Sequence, residues 1–183
     1  MEEKYKLIIQ MLLNESSTNP IEILKKIMKC TFINMHGPEH HFLDGACLLT
    51  AYYNKVKNFD LLNALDTYSK RTINLPGAMC GYFGVCGSVT SVAGIFSIID
   101  NTTPLSNDVE YKEHMKFTSN VLLKMSEIGG PRCCKRNAYI SITEGIKYIE
   151  EHYHVLLDKT NIICEFSSFN KQCLKEKCPF YNN

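Results

Sequence analysis

Net charge of either sign is scarce in this 183-residue sequence: 20 lysines and arginines face 19 aspartates and glutamates, leaving a formal charge of +1. No global field therefore selects nucleic acid or an acidic membrane as a partner. Tryptophan is absent, which carries no functional meaning. Alternating apolar and polar runs of useful strand length are missing, as are internal repeats, so the pattern is read at helical period. One long run lacks charge altogether, the 28 residues from Thr72 to Ile99. It is long enough to cross a bilayer. Pro76, five glycines and many Ser, Thr and Cys interrupt it, however, and no aromatic belt or cationic flank follows. A fully buried helix is expected there, not a membrane span.

What is present is helical spacing almost throughout. Leu7, Ile8, Met11 and Leu12 form a first stripe. After "SSTNP", Pro20 suits the first turn of a second helix with Ile23, Leu24, Ile27 and Met28. A third runs from Pro38 to about Asn54 with Phe42, Ala46, Leu49 and Tyr53 on one side, and a fourth from about Phe59 to Arg71. The glycine-rich stretch "LPGAMCGYFGVCG" comes next and a helix continues to Ile99, "DNTTPLSND" reads as a loop, and a long helix follows from about Asp108 to Ile128. Pro131 then opens the last long helix, to about Leu157. The expected fold is all-α, a single compact multi-helix domain over residues 1–158 with a cysteine-rich tail, 159–183, packed on it. A 45% hydrophobic composition supports one such core.

Nine cysteines are an odd count, which argues against a closed disulfide framework. The first residues, "MEEKYKLIIQMLLNE", begin with charge and lack a small-residue cleavage site. A reduced cytoplasm is expected, where clustered thiols serve more often as metal ligands or redox groups than as staples.

Two stretches share one design. In "GGPRCCKR", Pro131 at a first helical position leaves Arg132, Cys133 and Cys134 in the opening turn. Unpaired N–H groups, the positive helix end and the cations Arg132, Lys135 and Arg136 all favour thiolate there. Cys134 shares the apolar face with Ala138, Ile142, Ile149 and Tyr153, so it is expected to point inward with the charges outside. In "CGYFGVCGSVTSVAG", Cys80 lies in a glycine-rich turn and Cys86 at a helix start. Gly84, Gly87, Ser91 and Gly94 form a groove that a helix or a bulky cofactor can approach. Cys80, Cys86, Cys133 and Cys134 are thus candidates for a four-sulfur site, with N–H groups aimed at the sulfurs as an iron–sulfur cluster needs. Adjacent Cys133 and Cys134 diverge by about 100° on a helix, which limits joint service to one metal. Tight packing of small buried cysteines is the alternative, and an unbridged reactive thiol a further one.

The tail, "CEFSSFNKQCLKEKCPF", offers Cys164, Cys173 and Cys178. A Cys-Pro ending is ferredoxin-like, and tetrahedral zinc explains the order equally well. A fourth ligand would come from Cys30, Cys47 or an exogenous group; a mobile thiol-rich tail is the alternative.

His36, Glu39 and His40 match the H-x-x-E-H of inverted zinc proteases. Gly37 and Pro38 break the continuous helix that motif requires, which sets the protease aside. From Pro38 onward His40, Asp44 and Cys47 share a face that can hold a metal or a base with its orienting carboxylate, while His41 is expected to point elsewhere. His114, beside Phe117 and Val121, reads as a core histidine.

Together "MHGPEHHFLDGACLLTAYYN", "GAMCGYFGVCGSVTSVAGIFSI", "GGPRCCKRNAYISI" and the "C…C…CPF" tail resemble an uncharacterised cysteine-rich domain family of anaerobic bacteria and archaea. A looser likeness, within "CGYFGVCGSVTSVAG", is to small redox-type proteins with a C…GCAxxG…C…C pattern. The resemblance implies an anaerobe's cytoplasm, iron–sulfur chemistry and a redox or methyltransferase-like protein partner. The functional expectation is a cluster, of 4Fe–4S type, held by Cys80, Cys86, Cys133 and Cys134. It would serve electron transfer or sulfur or one-carbon chemistry. His40 or Glu39 would handle protons and Arg132 would stabilise an anion. The alternatives are a structural-zinc interaction module and a metal-free enzyme with Cys133 or Cys134 as nucleophile.

Overall fold

A computed structural model describes residues 1–182; residue 183, the last of the expected tail, lies outside the described residues. Among the described residues the secondary structure is helical only. The α-helices are α1 (Glu2–Leu13), α2 (Pro20–Met28), α3 (His40–Val56), α4 (Leu61–Thr72), α5 (Met79–Tyr82), α6 (Gly87–Ile99), α7 (Val109–Ile128) and α8 (Cys134–His152). Two single 3₁₀ turns, Ser167–Phe169 and Lys175–Lys177, punctuate the tail. The all-α, single-domain expectation holds.

Local chemistry explains most starts. The Asn19 carboxamide accepts the Ile21 and Glu22 N–H groups at 3.1 and 3.3 Å ahead of Pro20, while Asp60 and Asp108 cap α4 and α7. Helix α3 is the axis of the domain. Every residue from His40 to Tyr52 is buried, with α1, α2, α4, α6 and α8 packed around it. Gly45 permits the closest approach. A side chain there would run into the Ser91 carbonyl and the Tyr68 hydroxyl, and the Gly45 N–H instead donates to Ser91 Oγ at 2.8 Å. The small-residue stripe of α6 is therefore filled by protein: α3 at Ser91, the His41 ring at Gly87 and the Tyr68 ring at Gly94. A second layer of aromatic rings, Phe96, Phe117, Tyr148 and Tyr153, joins α6, α7 and α8. His114 is the core histidine anticipated, 2.7 Å from Asp100 Oδ2.

Several expectations are corrected. Thr72–Ile99 is not one buried helix. Residues 73–86 include no buried position, and α6 begins only at Gly87, after the left-handed Ala78 and the turn at Gly84. Among the described residues no helix is long and apolar enough to cross a membrane. Pro131 does not open α8. It sits outside, and Cys133 is the cap, its Sγ accepting the Arg136 N–H at 3.4 Å. Helix α8 also stops early, at His152, because Tyr153 turns its hydroxyl to Asp100 at 2.7 Å and His154 is left-handed.

Candidate functional site

The first turns of α3, α6 and α8 meet at one end of the domain, closed by residues 77–80, where the chain enters α5. Between them lies a cavity of about 280 Å³ lined by His36, His40, His41, Cys80, Cys86, Arg132, Cys133, Cys134 and Asn137, among others. The four cysteines nominated from the sequence are thus brought to one cavity, together with His40 and Arg132. Glu39 is not. Its buried carboxylate faces the preceding loop, where Oε1 accepts the Asn34 N–H at 2.6 Å and the Lys4 ammonium lies at 3.3 Å. Its role is to fix the 34–39 segment. Among the described residues no group of three or more His, Cys, Asp and Glu side chains is already arranged to hold a metal ion. The donors are gathered without being closed on a point.

Two imidazoles in the wall have both nitrogens committed. His36 accepts the Cys134 N–H at Nδ1, 3.5 Å, and donates from Nε2 to Asn170 Oδ1, 3.1 Å. His40 bonds Asp44 Oδ1 through Nδ1 at 2.8 Å and Lys135 Nζ through Nε2 at 3.1 Å. An ammonium only donates, so Nε2 of His40 accepts and its proton sits on Nδ1. The pairing of His40 with Asp44 is the base-and-carboxylate arrangement that their spacing suggested. His41 differs. It does not point elsewhere but lines the cavity, packed on Gly87, and its buried Nδ1 has no hydrogen-bond partner among the described residues. Burial pulls its pKa down, so the ring is neutral near physiological pH.

The electrostatics of the thiols reverse the sequence expectation. Helix N-termini and cations favour thiolate, yet desolvation wins at Cys86, Cys133 and Cys134. It pushes the Cys134 thiol up to about 12, and it raises Cys86 and Cys133 despite N–H donors that oppose it. Asn137 Nδ2 lies 3.2 Å from Cys86 Sγ, one of those donors. The cations do not lie outside either. Lys135 and Arg136 are 1% and 5% exposed. They donate to backbone carbonyls, Lys135 to Asn34 and Arg136 to Gly129 and Pro131. Their charge is spent holding the loops that frame the cavity. Arg132 alone of the three cations is exposed, at the cavity mouth.

A second, much smaller cavity lies on the other side of the α8 start. Its lining includes Cys133, Cys164, Cys173 and Cys178, with Arg136 and Asn170. The tail trio is therefore gathered. Neither Cys30 nor Cys47 is its companion: Cys47 is buried in the core of α3, and Cys30 lies against Met11, 3.9 Å from its sulfur. Among the described residues all nine cysteines are free thiols.

No curated protein and no solved structure matches the chain. One family profile does, over residues 8–181, which takes in both cavities and all nine cysteines, and the chain belongs to that family of unknown function, DUF5714.

Proposed function

We propose that this protein binds an iron–sulfur cluster in the larger cavity and works as a redox-type protein, in electron transfer or in sulfur or one-carbon chemistry. One observation carries this reading: thiols from α5, the α6 start and the α8 start share a cavity of about 280 Å³ that their own packing leaves unfilled. Soft sulfur donors, and an unpartnered buried nitrogen on His41, fit an iron–sulfur group better than an organic anion. Cys80, Cys86 and Cys134 would hold it, with Cys133 at the wall shared with the smaller cavity. When bound, the cluster supplies one-electron chemistry. The chain's own residues do the rest. The Asn137 carboxamide steadies Cys86, the His36 ring receives the Cys134 N–H, Arg132 offers an anion contact at the mouth, and the Asp44–His40–Lys135 chain places a buried proton-bearing group at the wall.

Metal-free nucleophilic catalysis is the weaker reading, because burial holds Cys86, Cys133 and Cys134 as thiols. Ligation to a metal removes that obstacle, since a coordinating thiol is deprotonated. An oxygen-poor cytoplasm and a protein partner that supplies or takes the electron belong to the same reading. The test is anaerobic purification and reconstitution, followed by iron, acid-labile sulfide and low-temperature electron paramagnetic resonance. Wild type is expected to hold both elements, and a Cys86→Ser, Cys134→Ser double variant to lose them. Absence of sulfide in reconstituted wild type, or full retention in the double variant, rules the cluster out.

A further inference from the structure

The tail poses a separate question: what holds it in place? From residue 161 to 182 only Phe166 and Asn170 are buried, and the only regular structure is two 3₁₀ turns. A segment with so little core of its own needs a staple. Its three cysteines share with Cys133 the lining of a cavity of about 10 Å³, room for one water-sized sphere and no more, without being closed on a point. We propose that Cys133, Cys164, Cys173 and Cys178 form a tetrathiolate site for a single zinc ion that pins the tail to the start of α8.

The backbone is already arranged for such sulfurs. Cys164 Sγ receives the Phe166 N–H and Cys173 Sγ the Lys175 N–H, each two residues on and each at 3.4 Å. Cys133 Sγ receives the Arg136 N–H at 3.4 Å and the Asn170 carboxamide at 3.6 Å. A neutral thiol is a weak acceptor, whereas a metal-bound thiolate is a strong one, so three sulfurs so provided are better matched to the bound form. Lys175 adopts a left-handed conformation, φ 50°, which lysine enters only at a cost and which aims its N–H back at Cys173. The tail's ends are brought together as well, through Cys164 N–H to the Phe180 carbonyl at 2.7 Å.

Size decides the occupant. A single tetrahedral ion with bonds of about 2.3 Å to four sulfurs needs little more than the space present, while a cubane cluster needs far more. Charge agrees: a zinc tetrathiolate is negative, and the buried Arg136 lies in the same lining. Closing the site draws the four sulfurs inward, and zinc displaces the thiol protons into solvent as it binds. This site is independent of the cluster proposed for the larger cavity and assigns Cys133 to zinc.

The experiment measures zinc, iron and sulfide in the same anaerobically purified full-length protein, with zinc K-edge absorption to define the ligand shell. One zinc per chain with four sulfur neighbours at about 2.3 Å is expected. Cys173→Ser and Cys178→Ser should each lose the zinc while iron and sulfide stay at the wild-type level, and Cys30→Ser should keep all three. Should the tail variants aggregate, cobalt loaded into the wild type in place of zinc still decides, since a tetrathiolate gives intense sulfur-to-cobalt charge-transfer bands. Absence of zinc, nitrogen or oxygen in its shell, zinc retained by Cys173→Ser, a disulfide among the four in place of metal, or iron and sulfide lost with the tail thiols each overturns the assignment. Loss of iron alone in the Cys86→Ser, Cys134→Ser variant bears on the cluster and leaves zinc in place.

Discussion

The Asn170 carboxamide reaches back 37 residues to Cys133, its Nδ2 lying 3.6 Å from the sulfur. Its Oδ1 accepts from His36 Nε2 at 3.1 Å and from the Gln172 N–H at 2.9 Å. One buried side chain thus ties the tail to the α8 cap and to the wall of the larger cavity. Asn170→Ala leaves the Gln172 and His36 donors without an acceptor. The expected cost is about 1–3 kcal/mol, read by urea unfolding, with faster proteolysis of the tail. Unchanged stability and unchanged cleavage would show the carboxamide to be incidental.

Thiol reactivity follows from desolvation. In metal-free protein, Cys86 and Cys134 stay protonated near neutral pH, because burial raises both and carries Cys134 to about 12. Iodoacetamide is expected to label them far more slowly in the folded chain than in guanidinium. Their rates should climb about tenfold for each unit of rising pH, as the thiolate fraction does. Rapid labelling of Cys134 at neutral pH would revive the nucleophile.

The helices were legible in the sequence because apolar spacing and caps act locally. Pro20 after Asn19, and the α3 face through Phe42, Ala46 and Leu49, required no tertiary information. The grouping of Cys80, Cys86, Cys133 and Cys134 was legible too, since helix starts tend to converge where helices pack around an axis. What escaped was set by long-range burial. Lys135 and Arg136 look like surface charge until the carbonyls of Asn34, Gly129 and Pro131 are seen waiting for them. Helix-end electrostatics suggested thiolates, but the loss of water outweighed them. Cys133 as companion of the tail trio depends on where an irregular segment folds back, which no periodicity encodes.

Glu39 should govern part of the acid limb of stability. Burial pushes its carboxyl up, yet the Asn34 N–H and the Lys4 ammonium outweigh that and hold its pKa below the usual glutamate value. A carboxylate with a depressed folded pKa stabilises the native state above its unfolded pKa, and that stabilisation is lost as pH falls through the folded value. The melting temperature of Glu39→Gln should therefore fall well below wild type near neutral pH, with the gap narrowing as the solution is acidified below the glutamate range. A gap that stays constant or widens in acid would contradict this role.

Lys135 should fix the tautomer and the surroundings of His40. Its ammonium, 1% exposed, lies 2.9 Å from the Asn34 carbonyl and 3.1 Å from His40 Nε2, with the Phe166 ring 5.2 Å away. Burial lowers its pKa while the nearby Asp44 carboxylate opposes the shift. Methionine matches the length of the stem but donates nothing, so Lys135→Met strands the carbonyl and Nε2 and removes the positive charge that faces Asp44 through the ring. The loss of a partner for buried acceptors outweighs any gain from burying a thioether, and a fall of about 1–3 kcal/mol in unfolding free energy is expected. Nitrogen-15 spectra of His40 give the sharper measurement. In wild type Nδ1 should carry the proton, held by Asp44 Oδ1 at 2.8 Å, and Nε2 should be bare. A wild-type spectrum with the proton on Nε2 would mean that Lys135 does not donate to the ring, and the buried Asp44–His40–Lys135 chain would lose its direction.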